Sequence, residues 1–165
     1  MWPHATPSRP RGPGQEDTHQ AVAAVERPWH DAIVASDTKQ ITEWIDRPAS
    51  DVYEFASNPA NIPEWAPGLG TSVEEVNGGW FVDTSSGRVR VEFAERNAFG
   101  VLDHDVTLPS GEVITNPMRV VPAGDGSEIT FSLRRLPDMT DEDFERDAGL
   151  VQADLTRLKQ ILEET

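Results

Sequence analysis

Apolar and polar residues alternate in short stretches along most of the chain after residue 39. The first stretch is ITEWID, residues 41–46, and Arg47-Pro48 ends it. Six further stretches follow at intervals of about ten residues, separated by turn sequences rich in Gly, Asn, Ser and Pro. They are TSVEEV, WFVDT, RVRVEF, VLDHDVTL, EVITNPMRVV and EITFSLRRL. Alternation with a period of two is typical of strands with one buried face, so the pattern predicts seven strands in an antiparallel meander.

Helical patterns interrupt and follow these strands. Ser50 precedes DVYEFAS, whose apolar spacing predicts a short amphipathic helix with Ser50 as its cap. The proline-rich residues 58–68 predict one or two further helical turns around 62–65. Near the end of the sequence, Thr140 and the three acids after it form a capping sequence. The long helix that follows carries one apolar stripe, formed by Phe144, Ala148, Val151, Leu155, Leu158 and Leu162.

The order of these elements predicts the fold. A strand, two short helices, six strands and a long helix make an α+β protein. We expect a seven-stranded curved antiparallel sheet wrapped around the C-terminal helix, with the two short helices after the first strand closing one end. A curved sheet that holds one helix leaves a hollow between them, and such a hollow is a natural place for a ligand.

Strand parity indicates which side chains face this hollow. In RVRVEF, apolar positions alternate with charged ones, which points Val91 and Phe93 inward. In WFVDT, the charge of Asp83 on the other face places Trp80 inside. Pro117 lacks a backbone donor, so its strand is expected to lie at an edge or to be bulged. The predicted ligand-binding residues are Trp80, Val82, Thr84, Val91, Phe93, Leu102, His104, Met118 and Phe131 on the strands, and Ala148, Val151 and Leu155 on the helix.

Residues 1–36 differ in composition from the rest of the chain. They are rich in Pro, Gly and Ala, hold three of the four histidines, and show neither a strand period nor a helix period. We therefore expect a disordered or weakly ordered tail over residues 1–36 and a ligand-binding domain over residues 37–165.

Charge and composition exclude several classes of function. With 29 acidic and 14 basic residues the formal net charge is -15, which opposes binding to nucleic acids and anionic membranes and favours neutral, apolar or cationic partners. The absence of cysteine excludes disulfides, thiolate zinc sites and cysteine nucleophiles. No apolar run is long enough to span a bilayer, and the first residues lack the apolar stretch of a signal peptide. We therefore expect a cytoplasmic protein.

Two long segments resemble a known superfamily. ITEWIDRPASDVYEFASNPANIPEWAPG looks like the opening of START-like, or SRPBCC, proteins. The run FGVLDHDVTLPSGEVITNPMRVVPAGDGSEITFSLRRLPDMTDEDFERDAGLVQADLTRLKQILEE resembles bacterial members grouped with polyketide cyclases and dehydratases. The resemblance covers residues 40–164 and implies the Bet v 1-like helix-grip fold, with a deep cavity under the C-terminal helix. Because the superfamily includes lipid carriers, hormone binders, cyclases and chaperone activators, activity must be argued from the site.

His104 is the main candidate for chemistry. It shares a strand face with Leu102, Val106 and Leu108, so it points inward with them. An inward histidine can transfer protons near neutral pH, and Asn116 can donate a hydrogen bond to an enolate oxygen. Together these residues suit the cyclisation or dehydration of a poly-β-keto chain. The alternative is a core histidine that only hydrogen-bonds to its neighbours.

Thr84 and Glu43 are the remaining polar residues that parity places near the hollow. Glu43, close to a strand end, is expected to reach water instead. Metal donors do not converge around His104, because adjacent strand residues face opposite ways. We therefore expect neither a metal ion nor another cofactor.

Three functions remain open. The first is binding of a small hydrophobic or aromatic molecule, polyketide-like or lipid-like, without chemistry. The second is a polyketide cyclase or dehydratase activity with His104 as acid or base. The third is a protein-interaction module that resembles chaperone activators and uses its acidic surface. An enzyme should bring at least two of the four polar residues named above within reach of one ligand position, whereas a carrier needs one anchor.

Overall fold

The structure, a computed structural model, describes residues 37–84 and 87–164. The predictions made for residues 1–36 lie outside the described residues. The strands are β1 (Thr38–Ile45), β2 (Ser72–Val76), β3 (Gly79–Thr84), β4 (Gly87–Phe93), β5 (His104–Thr107), β6 (Val113–Asn116), β7 (Met118–Ala123) and β8 (Gly126–Arg134). The helices are α1 (Ala49–Ala56), a 3-10 turn (Pro59–Asn61), α2 (Ile62–Trp65) and α3 (Asp141–Glu164).

The strands form two antiparallel sheets. The first has three strands in the order β1-β8-β7, and the second has five in the order β2-β3-β4-β5-β6. The expectation of an α+β fold with antiparallel pairing and a long C-terminal helix is confirmed. In place of the single seven-stranded sheet, however, the described residues form eight strands in two sheets.

Pro117 accounts for this difference. It divides the predicted strand EVITNPMRVV into β6 and β7, because a proline has no N–H with which to continue the ladder. β6 pairs with β5 and β7 pairs with β8, so the chain passes from one sheet to the other at this residue. The carbonyl of Pro117 accepts a hydrogen bond from Ser132 N of β8 at 2.9 Å.

The segment just before β5 makes a second crossing between the sheets. Val120 N donates to Gly100 O at 2.9 Å, and Leu102 N donates to Met118 O at 2.8 Å, so this segment runs beside β7. β5 itself pairs with β4 and β6. Gly100 has a φ of 69°, and a Cβ at this position would lie 2.0 Å from Val120 O. The crossing therefore requires glycine.

The short helices follow β1 as predicted, with one correction at their start. α1 begins at Ala49 with Pro48 as the N-cap residue, so Ser50 lies in the first turn and is not the cap. Val52 and Ala56 on its apolar side are completely buried. This side packs against β7 and β8.

The predicted signals at the start of α3 are confirmed. Thr140 Oγ1 accepts a hydrogen bond from Asp143 N at 3.1 Å and donates one to the Asp143 carboxylate at 2.6 Å, which forms a reciprocal cap. At the other end of the helix, Arg47 Nε donates to Leu162 O at 2.6 Å, where helical carbonyls lack intrahelical partners. None of the described helices is long and apolar enough to cross a membrane.

The predicted apolar stripe of α3 packs into the core. Phe144, Leu155, Leu158 and Leu162 are buried, and the helix contacts β1, β8 and α2. Val151, in the same stripe, is only half-buried because it borders a cavity.

Candidate functional site

A cavity of about 390 Å³ is lined by α3, α2 and the loop after it, and residues of β3 to β6 and β8. Small-molecule sites in proteins typically occupy roughly 300–1,000 Å³, so the size fits a compact organic ligand. Most of the wall consists of aliphatic and aromatic side chains. The polar or charged side chains on the wall are Thr84, His104, Asn116, Arg134, Asp147 and Asp154.

Many of the residues predicted to face a ligand do line this cavity. They come from six different elements, so residues far apart in the sequence are brought together. The residues concerned are Thr84, Val91, Phe93, His104, Asn116, Phe131, Val151 and Leu155. Their role toward a ligand stays a prediction.

Five of the predicted residues do not line the cavity, namely Trp80, Val82, Leu102, Met118 and Ala148. Parity placed Val82, Leu102 and Met118 on the inner face, but neighbouring atoms cover them, leaving 0%, 1% and 1% of each exposed. Val82 is covered by the loop after α2. Gly70 in this loop is so close that a Cβ at its position would lie 2.4 Å from Val82 Cγ1. These three residues belong to the solid core and not to the cavity wall.

Trp80 and Ala148 miss the cavity for a different reason. Trp80 is the second residue of β3, next to the turn from β2, whereas the cavity meets β3 only at its last residue, Thr84. Ala148 has a side chain of one carbon and packs against the core cluster. The cavity therefore occupies only part of the face that the pattern identified.

His104 is buried in the cavity wall with 7% of its surface exposed. Its Nδ1 lies 3.1 Å from Leu102 O, and the neutral ring donates its proton there. Burial lowers the pKa of His104, so the imidazole is neutral at neutral pH. Because Nδ1 holds the proton, Nε2 is the nitrogen that can accept a hydrogen bond or a proton from a ligand.

Aromatic rings flank this imidazole. The ring of Phe93 on β4 lies with its centroid 5.0 Å from that of His104, and the ring of Phe131 on β8 lies 6.0 Å away. Since all three residues line the cavity, a planar ligand meets an aromatic wall with one basic nitrogen in it.

Asn116 is directly opposite His104 in the pairing of β5 with β6, and it is half-buried. Paired side chains on one face of an antiparallel ladder are close neighbours, so an amide donor stands beside the imidazole. Thr84 also lines the cavity, but its Oγ1 donates to Gly87 O at 2.7 Å. The structure thus brings His104 and Asn116 together, whereas Thr84 is hydrogen-bonded to Gly87 at the start of β4.

Glu43 lies outside the cavity wall. Its carboxylate accepts hydrogen bonds from Gln152 Nε2 at 3.1 Å and from Thr156 Oγ1 at 3.3 Å, and Lys159 Nζ lies 3.5 Å away. These three partners all belong to α3. Glu43 therefore joins β1 to the helix, where the sequence suggested a side chain that simply reaches water.

Asp154 is a cavity residue that the sequence pattern did not identify. It is half-buried on α3, and Gly68 N in the loop after α2 donates to its Oδ1 at 3.0 Å. Burial raises the pKa of Asp154 to about 6, although the Gly68 hydrogen bond acts in the opposite direction. A Cβ on Gly68 would lie 2.7 Å from Asp154 Oδ2, so this close approach depends on glycine.

The sequence did contain a signal for the acids on the wall. Asp147 and Asp154 stand four residues before and three residues after Val151, a spacing that places all three on one face of α3. A search for an apolar stripe on α3 omits Asp147 and Asp154, because it counts only apolar residues.

Trp65 of α2 also lines the cavity. It is 5% exposed, and its indole N–H has no hydrogen-bond partner in the described part of the chain.

The sequence matches the family described as polyketide cyclase / dehydrase and lipid transport over residues 38–163. The chain belongs to this family. The predicted membership of the START-like, or SRPBCC, superfamily is thereby confirmed. The segment that defines the polyketide cyclase/dehydrase family begins with β1 and ends near the end of α3, so it contains every element of the cavity wall.

Solved structures share the fold at low sequence identity. DynU16, from the dynemicin biosynthetic locus, is 15% identical with a TM-score of 0.58, and the match covers 77% of this chain and 47% of that one. Protein MLL2253 from Mesorhizobium loti is 16% identical with a TM-score of 0.58, over 78% of this chain and 98% of that one. The Aha1 dimer from Colwellia psychrerythraea is 12% identical with a TM-score of 0.59, and the match covers 77% of this chain and 96% of that one. A comparison with curated proteins gave no match.

Proposed function

We propose that the protein binds a small apolar or aromatic molecule, polyketide-like or lipid-like, in the cavity beneath α3. The observation that carries this proposal is a cavity of about 390 Å³ with a mainly aliphatic and aromatic wall. The description of the family, which combines polyketide cyclisation with lipid transport, supports the same class of ligand. The family match over residues 38–163 also supports a binding domain spanning residues 37–165.

The wall provides both affinity and orientation. Removing apolar ligand surface from water contributes about 25 cal/mol per Å², and the rings of Phe93 and Phe131 offer faces for stacking. His104 Nε2 accepts a hydrogen bond, and the Asn116 amide donates or accepts one. A ligand with an apolar body and one polar edge therefore suits this site.

The direct test is native mass spectrometry of the protein purified from its own host, followed by extraction and identification of any small molecule that accompanies it. We expect an apolar or aromatic compound bound in a one-to-one ratio. Empty protein that also fails to bind a panel of aromatic and lipid probes would overturn the proposal.

A second candidate function is catalysis of the cyclase or dehydratase type. It is favoured by the direct pairing of His104 with Asn116 on the cavity wall. His104 Nε2 takes a proton from the carbon between two carbonyl groups, and the electron pair of the broken C–H bond forms an enolate. The amide N–H of Asn116 then stabilises the enolate oxygen.

Deuterium exchange tests this second candidate. An aryl β-diketone incubated with the protein in heavy water should exchange its acidic carbon-bound proton faster than in buffer, as followed by proton NMR. In the His104→Asn variant the rate should fall to the buffer rate. Equal rates with and without the wild-type protein would reject catalysis by His104 while leaving the ligand-binding proposal intact.

The likeness to the Aha1 dimer concerns the fold alone, and no further observation favours a chaperone-activator role.

A further inference from the structure

Asp154 is a charged group on the cavity wall with no cationic partner among the described residues. Its one hydrogen bond in that part of the chain comes from the backbone N–H of Gly68 at 3.0 Å. Placing a carboxylate in a partly dry site is costly unless a cation or several donors compensate it. The single N–H of Gly68 compensates only a small part of the free energy that the carboxylate loses when it is removed from water.

None of the cations nearest in sequence to Asp154 forms an ion pair with it in the described part of the chain. They are Arg146, Arg157 and Lys159 on the same helix. Their partners are the Asp143 and Asp147 carboxylates for Arg146, Glu64 O for Arg157 and the Glu43 carboxylate for Lys159. Arg134, which lines the cavity from β8, is exposed and forms no ion pair with Asp154 in the described part of the chain.

The carboxylate is nevertheless ionised under ordinary conditions. Its pKa, raised by burial to about 6, lies below neutral pH. His104 on the same wall is neutral, because burial lowers its pKa, so it adds no compensating charge. At neutral pH the cavity wall therefore carries a negative charge on Asp154, and no cationic side chain among the described residues pairs with it.

We propose that a bound ligand supplies this charge: the cavity selects apolar molecules that carry a protonated amine, and Asp154 is the residue that determines this specificity. The inference rests on the proposed ligand-binding function and names its ligand class. The Gly68 N–H holds one carboxylate oxygen, which leaves the remaining lone pairs for a charge-assisted hydrogen bond with the ammonium group. The formal net charge of -15 also raises the local concentration of cations around the protein.

Three probes that share one ring system test the charge preference. They are naphthylmethylamine, naphthylmethanol and naphthoate in the same positional isomer, titrated by calorimetry at about pH 7.5. We expect the amine to bind about ten-fold more tightly than the alcohol, since a charge-assisted hydrogen bond is roughly twice as strong as a neutral one. Naphthoate should bind most weakly.

Two variants with equal changes in net charge locate the effect. Asp154→Asn keeps an acceptor for Gly68 N but removes the charge, so the ratio of amine affinity to alcohol affinity should fall from about ten to about one. Glu142→Gln removes one charge from an exposed position on α3 outside the cavity, and it should keep the full amine preference. Circular dichroism confirms that each variant is folded.

The pH dependence of wild-type binding gives a readout that needs no substitution. As pH falls through about 6, Asp154 takes up a proton and the amine preference should disappear. The other titratable or charged side chains on the wall are His104 on β5, Arg134 on β8 and Asp147 on α3. If their titration changed the relative affinities, the ratio of amine to alcohol affinity would also vary with pH in Asp154→Asn, where we expect that ratio to be independent of pH.

The outcomes separate this inference from the function on which it rests. If the alcohol binds but the amine is no tighter, or if Asp154→Asn keeps the preference, the inference is wrong and ligand binding stands. If none of the three probes binds at any pH, both proposals fall.

Discussion

His104 and Asn116 face each other across β5 and β6, and both side chains line the same cavity. His104 Nδ1 donates its proton to Leu102 O, and the two atoms are 3.1 Å apart. A ligand therefore meets a hydrogen-bond acceptor, Nε2, beside an amide that can donate. This pair is the polar edge of an otherwise mainly apolar wall.

Replacing His104 by Asn separates its structural role from its role toward ligands. The Asn amide can still donate toward Leu102 O, so we expect the melting temperature to change by only a few degrees. Naphthylmethanol should lose up to about ten-fold in affinity, because one hydrogen bond is worth about 0.5–1.5 kcal/mol, whereas methylnaphthalene should bind as before. Severe destabilisation with unchanged binding of both probes would identify His104 as a core histidine only.

Replacing Asp154 by Asn should stabilise the protein at neutral pH. The folded-state pKa of about 6 exceeds the ordinary value of 3.8, so the folded state binds more protons between these values and stability falls as pH rises through them. The asparagine variant lacks this loss, so its melting temperature should exceed that of the wild type by a few degrees at about pH 7.5. Near pH 3, where the carboxyl is protonated in both states, calorimetry should find no such gain. A lower melting temperature for the variant at neutral pH would show that the charged form is stabilising.

Gly68→Ala should destabilise the protein through Asp154. The new Cβ would lie 2.7 Å from Asp154 Oδ2, so the carboxylate must move away and the hydrogen bond from Gly68 N should weaken. We expect a loss of about 1 kcal/mol in the free energy of unfolding. In an Asp154→Ala background the same change should be neutral or slightly stabilising, because alanine restricts the unfolded chain more than glycine does. Equal losses in both backgrounds, measured by urea unfolding, would rule out this coupling.

Deleting residues 1–36 should change the melting temperature by no more than a few degrees. The composition of this segment predicts little burial of apolar surface, and residues 37–164 contain the buried core described above. Calorimetry of the full chain and of residues 37–165 gives the comparison. A fall of many degrees would mean that the segment contributes to the stability of the domain.

Strand parity found His104 because it needs only a period of two and the apolar neighbours Leu102 and Val106. It also identified the correct face of β3 and β4. Parity carries no information about how far a cavity extends along that face, which is why Trp80 was expected on the wall and lies beyond it. The division into two sheets was signalled by Pro117, but the loss of one donor does not reveal which strand the next residues will join.

Asp154 was missed for a related reason. Acids within a helix are ordinarily solvated, and only the loop after α2, positioned by tertiary packing, covers this one. The sequence does place Asp147 and Asp154 on one face of α3 together with Val151, and this shared face is the one hint that sequence alone provides. The contact with Gly68 joins residues far apart in the chain, so no local pattern contains it.

Filling the cavity beneath α3 tests whether it is the place where a small apolar ligand binds. We would titrate N-phenyl-naphthylamine, an uncharged fluorescent probe, into the wild type, Val151→Phe and Val121→Phe. Val151 lines the cavity, whereas Val121 is 40% exposed on β7 and outside the cavity. We expect saturable binding to the wild type and to Val121→Phe, and loss of binding by a folded Val151→Phe variant. Unchanged binding by Val151→Phe, or no binding by the wild type, would rule out this cavity as the binding site.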